Sequence, residues 1–250
     1  MTASGSAADR SSEQTIELEG RVIAFTLRRS SRRSIGFTIS RAGLAVTAPR
    51  RVSERDIRRA LVTKAGWILT KLDAWAARPA APELVLETGA SLPWLGRDLT
   101  LDLRGGGVRT TVRREGDRLI LKHDPDLAGE LRTRTLTQAL QRFYKREGEA
   151  FMAPKVETYA RQLGKPVRKV IVRDQKRRWG SCASDATIRL NWRLMGFPEE
   201  LVDYVCAHEA AHLVEANHSP AYWRVVEGLM PDWKPRRQRM RDEADRWVVF

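Results

Sequence analysis

Alternating apolar and polar residues characterise the first part of the chain, from Thr15 to Pro49. Segments such as RVIAFTLRR and SIGFTIS repeat with a period of two and are separated by Gly and Ser-Arg turns, which is typical of short antiparallel strands. The pattern therefore predicts three or four such strands. From Ser53 to about Ala77 the apolar residues change to helical spacing, and a serine suits the N-cap, so one helix is predicted there.

The second part of the chain repeats this succession of strands and helix. After the Pro/Ala-rich linker RPAAPEL, the segments LTLDLRGG, VRTTVRREG and DRLILKHD predict a second set of strands with Gly-rich turns. A long amphipathic helix is predicted from residues 124–126 to Leu163, where Gly164 and Pro166 end it. Two further strands, VRKVIVRD and TIRLNW, precede a helix whose first turn contains Pro198.

These patterns predict an α+β fold with a β-rich N-terminal part. We place the domain boundary near residues 124–126, so that residues 15–124 form a β-rich domain with one helix and residues 125–250 a more helical domain with a small sheet. Residues 1–14 are small and polar and are predicted to be a disordered tail rather than a signal peptide. No apolar run reaches the roughly 18–20 residues of a membrane span. Two cysteines are too few for a disulfide framework, which favours a cytoplasmic protein.

A net charge of +14 widens the range of candidate partners. The excess is mostly arginine and is spread over both halves of the chain. Such a surface attracts nucleic acid or other polyanions, but it is equally the ordinary solvated surface of a basic protein. Composition does not choose between these interpretations, and it leaves the oligomeric state open.

The stretch HEAAHLVEANH contains the candidate chemistry, with three of the four histidines of the chain. His208 and His212 are four residues apart, so on a helix their Cβ atoms lie about 5–6 Å apart on one face and both imidazoles can reach one zinc ion. Glu209 beside them is placed to take a proton from water at the metal, as a general base. Three protein ligands would leave one position open, which is the catalytic rather than the structural arrangement.

His218 is the predicted third ligand of one zinc ion per chain. It comes ten residues after the first histidine, too far round a continuous helix to share the metal. The helix is therefore predicted to end or bend near residues 215–217, where Asn217 suits left-handed backbone geometry. A carboxylate further along the chain, Glu227 or Asp232, is the alternative third ligand.

Four segments together resemble the YgjP-like metallopeptidase family, which is related to the SprT-like and WLM zinc peptidases of the zincin group. They are KRRWGSC (176–182), IRLNWRL (188–194), DYVCAHEAAHL (203–213) and NHSPAYW (217–223). The segments RRSSRRSIGFTIS and KAGWILTKL also resemble the first half of that family. The resemblance implies a zincin-like catalytic domain that hydrolyses peptide bonds, with the three histidines as zinc ligands and the glutamate as catalytic base.

The resemblance also implies a substrate cleft. The RWGSC turn and the strand after it would lie beside the metal-binding helix, where an edge strand can pair with an extended substrate backbone. Arg178, Trp179 and Asn191 thereby become candidates for shaping the cleft. Tyr222 is a candidate for stabilising negative charge that develops on the substrate. Cys182 is either a buried structural thiol or a fourth metal ligand.

The residues and the resemblance together leave three functions open. The first, which is our prediction, is a zinc metallopeptidase acting on peptides or proteins. The second keeps the zinc but hydrolyses the phosphoanhydride of a nucleotide triphosphate, because arginines near the predicted cleft suit phosphate oxygens; they are Arg177, Arg178, Arg189 and Arg193. The third is a peptidase that acts on DNA-bound targets, as in the SprT-like and WLM relatives, and it requires nucleic-acid binding.

Overall fold

The computed structural model of the chain describes residues 11–40, 42–77, 84–175 and 178–247. The chain forms two compact units, and the boundary between them lies between Ala80 and Ala81. This division falls at the predicted linker and not near residues 124–126. The reason is that the strands after residue 90 share a hydrophobic core with the later helices, so they belong with the second unit.

The first unit combines a four-stranded sheet with two helices. Its elements are β1 (Ser11–Leu18), β2 (Arg21–Ser30), β3 (Gly36–Ser40), β4 (Gly43–Pro49), α1 (Glu54–Thr63) and α2 (Ala65–Ala76). The strand order is β1-β2-β4-β3, with antiparallel pairs at both edges and a parallel pair of β2 and β4 in the middle. The prediction of antiparallel strands is therefore wrong for the central pair, because β3 folds back on the outer edge of β4.

Two boundaries in this unit differ from the sequence prediction. Of the predicted disordered tail, residues 1–10 lie outside the described residues, but Ser11 to Gln14 pair with β2. Pairing of this kind uses the main chain, so it does not need the apolar side chains on which the prediction depended. Ser53 caps the helix as predicted, since its Oγ accepts a hydrogen bond from the Asp56 amide at 3.1 Å. The single predicted helix is interrupted at Lys64, which separates α1 from α2.

The second unit contains another four-stranded sheet, a small three-stranded sheet and the remaining helices. Its elements are β5 (Ser91–Trp94), β6 (Arg97–Gly105), β7 (Thr111–Glu115), β8 (Arg118–His123), α3 (Gly129–Gln162), β9 (Lys169–Arg173), β10 (Gly180–Cys182), β11 (Thr187–Asn191), the 3₁₀ helix η1 (Trp192–Gly196), α4 (Glu199–Ala211), α5 (Pro220–Leu229), α6 (Trp233–Asp242) and α7 (Ala244–Trp247). The small sheet has the order β10-β11-β9, so β10 is one of its edges.

The two four-stranded sheets share one topology. The order β5-β6-β8-β7 again places a parallel pair between two antiparallel pairs. The first hairpin of each sheet also turns in the same way, with positive φ at both loop residues: 50° and 78° at Glu19 and Gly20, 48° and 76° at Leu95 and Gly96. Such two-residue loops match the twist of the strands they join.

The long helix α3 links this second sheet to the small sheet. It ends as predicted, because Gly164 adopts the left-handed conformation (φ 64°) and the Lys165 amide bonds back to the Ala160 carbonyl at 2.9 Å. Tyr144, buried on α3, donates a hydrogen bond to the Pro93 carbonyl in β5 at 2.8 Å. Among the described residues, no helix is both long and apolar enough to cross a membrane. The predicted α+β class is confirmed.

Candidate metal centre and active site

Helix α4 carries the first two histidines of the predicted metal site. Its apolar face is buried in the core, with Leu201 and Val205 among the buried residues. His208 lies in the last turn, and His212 follows as the C-terminal cap, still with helical backbone angles (φ −66°, ψ −13°). Their ring centroids are 5.3 Å apart. Packing of α4 against the core therefore fixes the position of both imidazoles.

The chain turns tightly after α4, and this turn differs from the prediction. The helix ends at Ala211 rather than near residues 215–217, because the next amides bond to carbonyls only three residues back, a tightening common at helix ends. Asn217 is not in the left-handed region, so that expectation is wrong. The turn nevertheless brings the chain back to the end of α4.

His218 is held in place by the start of the next helix. Ser219 is the N-cap of α5, its Oγ accepting a hydrogen bond from the Tyr222 amide at 3.2 Å, and Pro220 occupies the first helical position. The Nε2 atom of His218 lies 3.1 Å from Nε2 of His208. One potential ligand atom from each of the three histidines lies within 4.8 Å of the others. This spacing suits one cation shared by three imidazoles.

Hydrogen bonding and burial favour the protonation state that metal binding requires. Nδ1 of His212 lies 3.0 Å from the Glu215 carbonyl. Because a carbonyl only accepts, Nδ1 carries the proton and Nε2 keeps its lone pair. Burial, followed by the neighbouring histidines, lowers the pKa of His208 to about 3, and burial also lowers the pKa of His218. Neutral imidazole is the form that binds a metal.

Tyr222 packs against the histidines from inside the protein. It is fully buried, and its ring stacks on that of His212 with centroids 4.5 Å apart. Its hydroxyl donates a hydrogen bond to the His208 carbonyl at 2.9 Å, which ties α5 to the end of α4. Because this hydroxyl is engaged with the main chain, the geometry favours a role in holding the histidines over the predicted role in stabilising charge on a substrate.

Glu209 is buried beside the small sheet. Only 4% of its surface is exposed, and its Oε2 atom has no hydrogen-bond partner among the described residues. Burial raises the pKa of this carboxyl to about 8, and the positive charge of Arg178 opposes that shift. An unpartnered buried carboxyl oxygen is unfavourable for stability. Its presence beside three clustered histidines therefore points to chemistry rather than packing.

Gly180 makes room for the Glu209 side chain. A Cβ atom at Gly180 would lie 2.5 Å from Cγ and from Oε1 of Glu209, and 2.7 Å from Cδ. A side chain at position 180 would therefore displace the carboxyl. Gly180 is absent from the predicted site residues, although it lies within the RWGSC motif. The available signal was a glycine inside a short strand, which often marks the close approach of another group.

The strand beside Glu209 is β10, at the edge of the small sheet. Strand β11 pairs with β10 on one side and with β9 on the other, so the strand after RWGSC is central. The resemblance implied an edge strand in this region, and it is the RWGSC segment itself that supplies it. Among the described strands, none pairs with the outer side of β10.

The three predicted cleft residues near β10 have different surroundings. Arg178 is exposed, and Trp179 is half-buried with its ring edge-on to Phe197 at 4.8 Å. Asn191 is only 3% exposed, and its amide donates to the carbonyls of Gln175 at 2.9 Å and Arg178 at 3.2 Å. Asn191 thus fixes the segment that leads into β10, a position from which it could shape the cleft.

Other potential ligands lie outside the histidine cluster. Within the part of the chain that the structure describes, the group of close ligand atoms contains no cysteine and no carboxylate. Asp232 accepts a hydrogen bond from Arg236 at 2.8 Å instead. Burial, followed by the charge of Glu209, raises the pKa of the Cys182 thiol. Metal binding needs the thiolate, so this surrounding favours a structural thiol over a fourth ligand.

The arginines considered for phosphate binding differ in their surroundings. Arg193 forms an ion pair with Asp174 at 2.6 Å, and Arg189 lies on β11 opposite Ser181. Arg177, with the preceding lysine of the KRRWGSC segment, lies outside the described residues. An arginine already paired with a carboxylate is a weaker candidate for binding phosphate.

Three clustered imidazoles and a buried carboxyl, at the end of a helix that flanks an edge strand, form an arrangement that suits a metal-dependent hydrolase. Sequence comparison gives the same class. The chain belongs to the YgjP-like family, whose metallopeptidase domain model matches residues 33–243. The match includes all elements of the site and extends into the first unit. The protein is thus a metallopeptidase-type hydrolase, as predicted.

Two solved structures resemble part of the chain. The metallopeptidase zymogen of Pyrococcus abyssi, abylysin, is 24% identical over 40% of this chain and 98% of that chain, with a TM-score of 0.34. The metallopeptidase zymogen of Methanocaldococcus jannaschii, jannalysin, is 18% identical over 37% of this chain and 96% of that chain, with a TM-score of 0.34. No curated protein sequence matches the chain.

Proposed function

We propose that the protein is a zinc-dependent metallopeptidase in which His208, His212 and His218 bind one zinc ion and Glu209 is the general base. One observation carries this proposal. Three imidazoles have ligand nitrogens within 4.8 Å of one another, and a glutamate between the first two is buried with an unpartnered oxygen.

The donor set fits zinc. Imidazole nitrogens bind zinc at roughly 2.0–2.1 Å, and three protein ligands leave a fourth position for water or substrate. The oxygen ligands that calcium and magnesium prefer are absent from the cluster, as far as the described residues extend. A zinc ion held by these residues would supply Lewis-acid chemistry, polarising the scissile carbonyl and lowering the pKa of water.

Glu209 would hold and move the proton. Burial alone favours its neutral form, but a cation next to it favours the carboxylate, which can accept a proton from the attacking water. The protonated carboxyl would then deliver that proton to the leaving amine. Gly180 allows this carboxyl to lie beside β10, because a Cβ atom at position 180 would displace it.

Peptide substrates fit the free edge of the small sheet. An extended peptide added to the outer side of β10 would hydrogen-bond through its main chain, which makes binding tolerant of sequence. The same strand contacts Glu209 through Gly180. A peptide bound there would therefore run past the proposed base, with Trp179 and Arg178 at the start of the strand available to contact it.

Replacing the proposed base tests this function. Zinc-loaded Glu209→Gln is expected to retain one zinc ion per chain while peptide hydrolysis falls by orders of magnitude. The matched control is Glu157→Gln, at an exposed position of α3, which should change neither zinc content nor rate. Both proteins and the wild type would be given denatured proteins and nucleotide triphosphates. Wild-type activity in Glu209→Gln, or release of pyrophosphate without proteolysis, would overturn the proposal.

A further inference from the structure

The arginines of helix α6 differ in whether a carboxylate compensates their charge. Arg236 pairs with Asp232 at 2.8 Å, and Arg239 pairs with Glu243 at 2.8 Å. Arg237 has no carboxylate partner within the described parts of the chain. Arg237 therefore keeps hydrogen-bond donors available to a ligand. Arg241 also pairs with no carboxylate among the described residues, but it is exposed, whereas Arg237 is half-buried.

Arg237 lies on the inner face of α6. It is four residues after Trp233 and three before Met240, so the three share one side of the helix, and both neighbours are buried. Arg237 itself is half-buried. A partly desolvated guanidinium without a counter-charge is unfavourable. The position consequently suits an arginine whose anionic partner is supplied from outside the chain.

Two tryptophans hold the guanidinium group beside the histidine cluster. Its Cζ atom lies 4.5 Å from the ring centroid of Trp223 and 5.9 Å from that of Trp233, and the two indoles stack 4.3 Å apart. Trp223 is in turn 5.7 Å from His218, between ring centroids. Contact with an aromatic ring orients the guanidinium plane while leaving its N–H groups free to bind.

We propose that Arg237 is a specificity-determining residue that binds a carboxylate of the peptide substrate near the scissile bond. This inference rests on the proposed peptidase function, since one indole ring separates Arg237 from the proposed metal ligands. The planar donors of arginine match the two oxygens of a carboxylate. That carboxylate belongs to a glutamate or aspartate side chain, or to the C-terminus of the substrate.

Binding measurements on a protein that does not cleave peptides test the inference. Zinc-loaded Glu209→Gln would be titrated with alanine-based hexapeptides in which Glu or Gln is placed at each position in turn, and with free or amidated C-termini. Tryptophan fluorescence and calorimetry would report the Kd. Either in the Glu/Gln pairs or in the pairs with free and amidated C-termini, the peptide with the carboxylate is expected to bind roughly ten- to a hundredfold more tightly than the peptide with the amide. The kind of pair that shows this difference identifies the carboxylate as a side chain or as the C-terminus.

In the Glu209→Gln protein, a second substitution Arg237→Gln should abolish the preference for carboxylate over amide. Arg237→Lys should retain only part of that preference, because the charge remains but the planar arrangement of donors is lost. Arg224→Gln removes the same charge from an exposed position next to Trp223 and should leave the preference unchanged. Thermal unfolding of each variant would be measured in parallel, since a purely structural role would lower the Tm without equalising the two affinities.

Three results would overturn the inference: no binding of any peptide, equal affinity for carboxylate and amide when Arg237 is present, or a preference that survives Arg237→Gln. Failure of the proposed function gives a different result. In that case the wild type would bind peptides with the carboxylate preference but would not cleave them.

Discussion

Replacing Gly180 by alanine tests whether the edge strand β10 sets the position of the proposed base. The added Cβ would lie 2.5 Å from Cγ and Oε1 of Glu209, whereas ordinary contacts begin at 3.4 Å. The carboxyl must therefore retreat by about 0.9 Å. Because Glu209 is buried, it cannot do so by swinging into solvent.

A displacement of about 1 Å at a catalytic group reduces the rate by roughly a hundredfold. We expect kcat/KM for peptide hydrolysis to fall by about that factor in Gly180→Ala. The free energy of unfolding should fall by about 1–3 kcal/mol, as is usual when a packed site is overfilled. Zinc content should stay at that of the wild type, because the three atoms nearest to the new methyl group all belong to Glu209 and not to a histidine.

Gly228→Ala is the matched control. Gly228 lies in helix α5, and a Cβ there would have no heavy atom within 4 Å. This variant should keep the wild-type rate of peptide hydrolysis. Its free energy of unfolding should rise by about 0.5–1 kcal/mol, because alanine loses less backbone freedom on folding into a helix than glycine does. Metal content, thermal unfolding and peptide hydrolysis would be measured on both variants. If Gly180→Ala bound zinc and cleaved peptides at the wild-type rate, Glu209 would not be a base held by β10.

Three further outcomes are expected. His218→Ala should lose zinc on dialysis, as measured by atomic absorption, and retention of the metal would indicate a carboxylate ligand instead. Asn191→Ala leaves the carbonyls of Gln175 and Arg178 without their donor. Its free energy of unfolding, measured in urea, should therefore fall by about 1–3 kcal/mol. An unchanged value would contradict the role assigned to this amide. The hydrogen bond from Arg239 is the largest cause that lowers the pKa of Glu243. A lowered folded-state pKa gives stability that is present above the unfolded value of about 4.3 and is lost as the pH falls through the folded value. The free energy of unfolding of Arg239→Gln should therefore be about 0.2–1 kcal/mol below that of the wild type at pH 7, and this difference should shrink in acid. The control Arg241→Gln should show no such pH-dependent difference. A difference for Arg239→Gln that does not depend on pH would contradict this prediction.

The histidine cluster was predictable because its geometry is local. Two histidines four residues apart on a helix must share a face, and the third follows within one short turn. The position of Gly180 against Glu209 was not predictable in this way. These residues are far apart in the chain and meet only because β10 is the strand of the small sheet that lies beside α4. The alternation of apolar and polar residues along a strand does not determine the order of strands in a sheet.

The same limit explains the differences in the sheets. Alternation of apolar and polar residues identified the strands but not their partners, so the parallel pairing of β2 with β4 was missed. The repeated hairpin turn was also hidden, because only its second residue, Gly20 or Gly96, is a typical turn residue. Glu19 and Leu95 adopt positive φ without such a signal. In these turns the pairing of the strands overrides local preference.

Contact between Gly180 and Glu209 has a consequence for selectivity. If β10 both binds the substrate main chain and limits the position of the base, then the distance from base to scissile bond depends on the backbone of β10 and not on substrate side chains. Main-chain pairing at a sheet edge distinguishes sequences poorly. Selectivity must then come from side chains outside β10. A guanidinium with free donors beside the histidine cluster meets that requirement, which is the role we propose for Arg237.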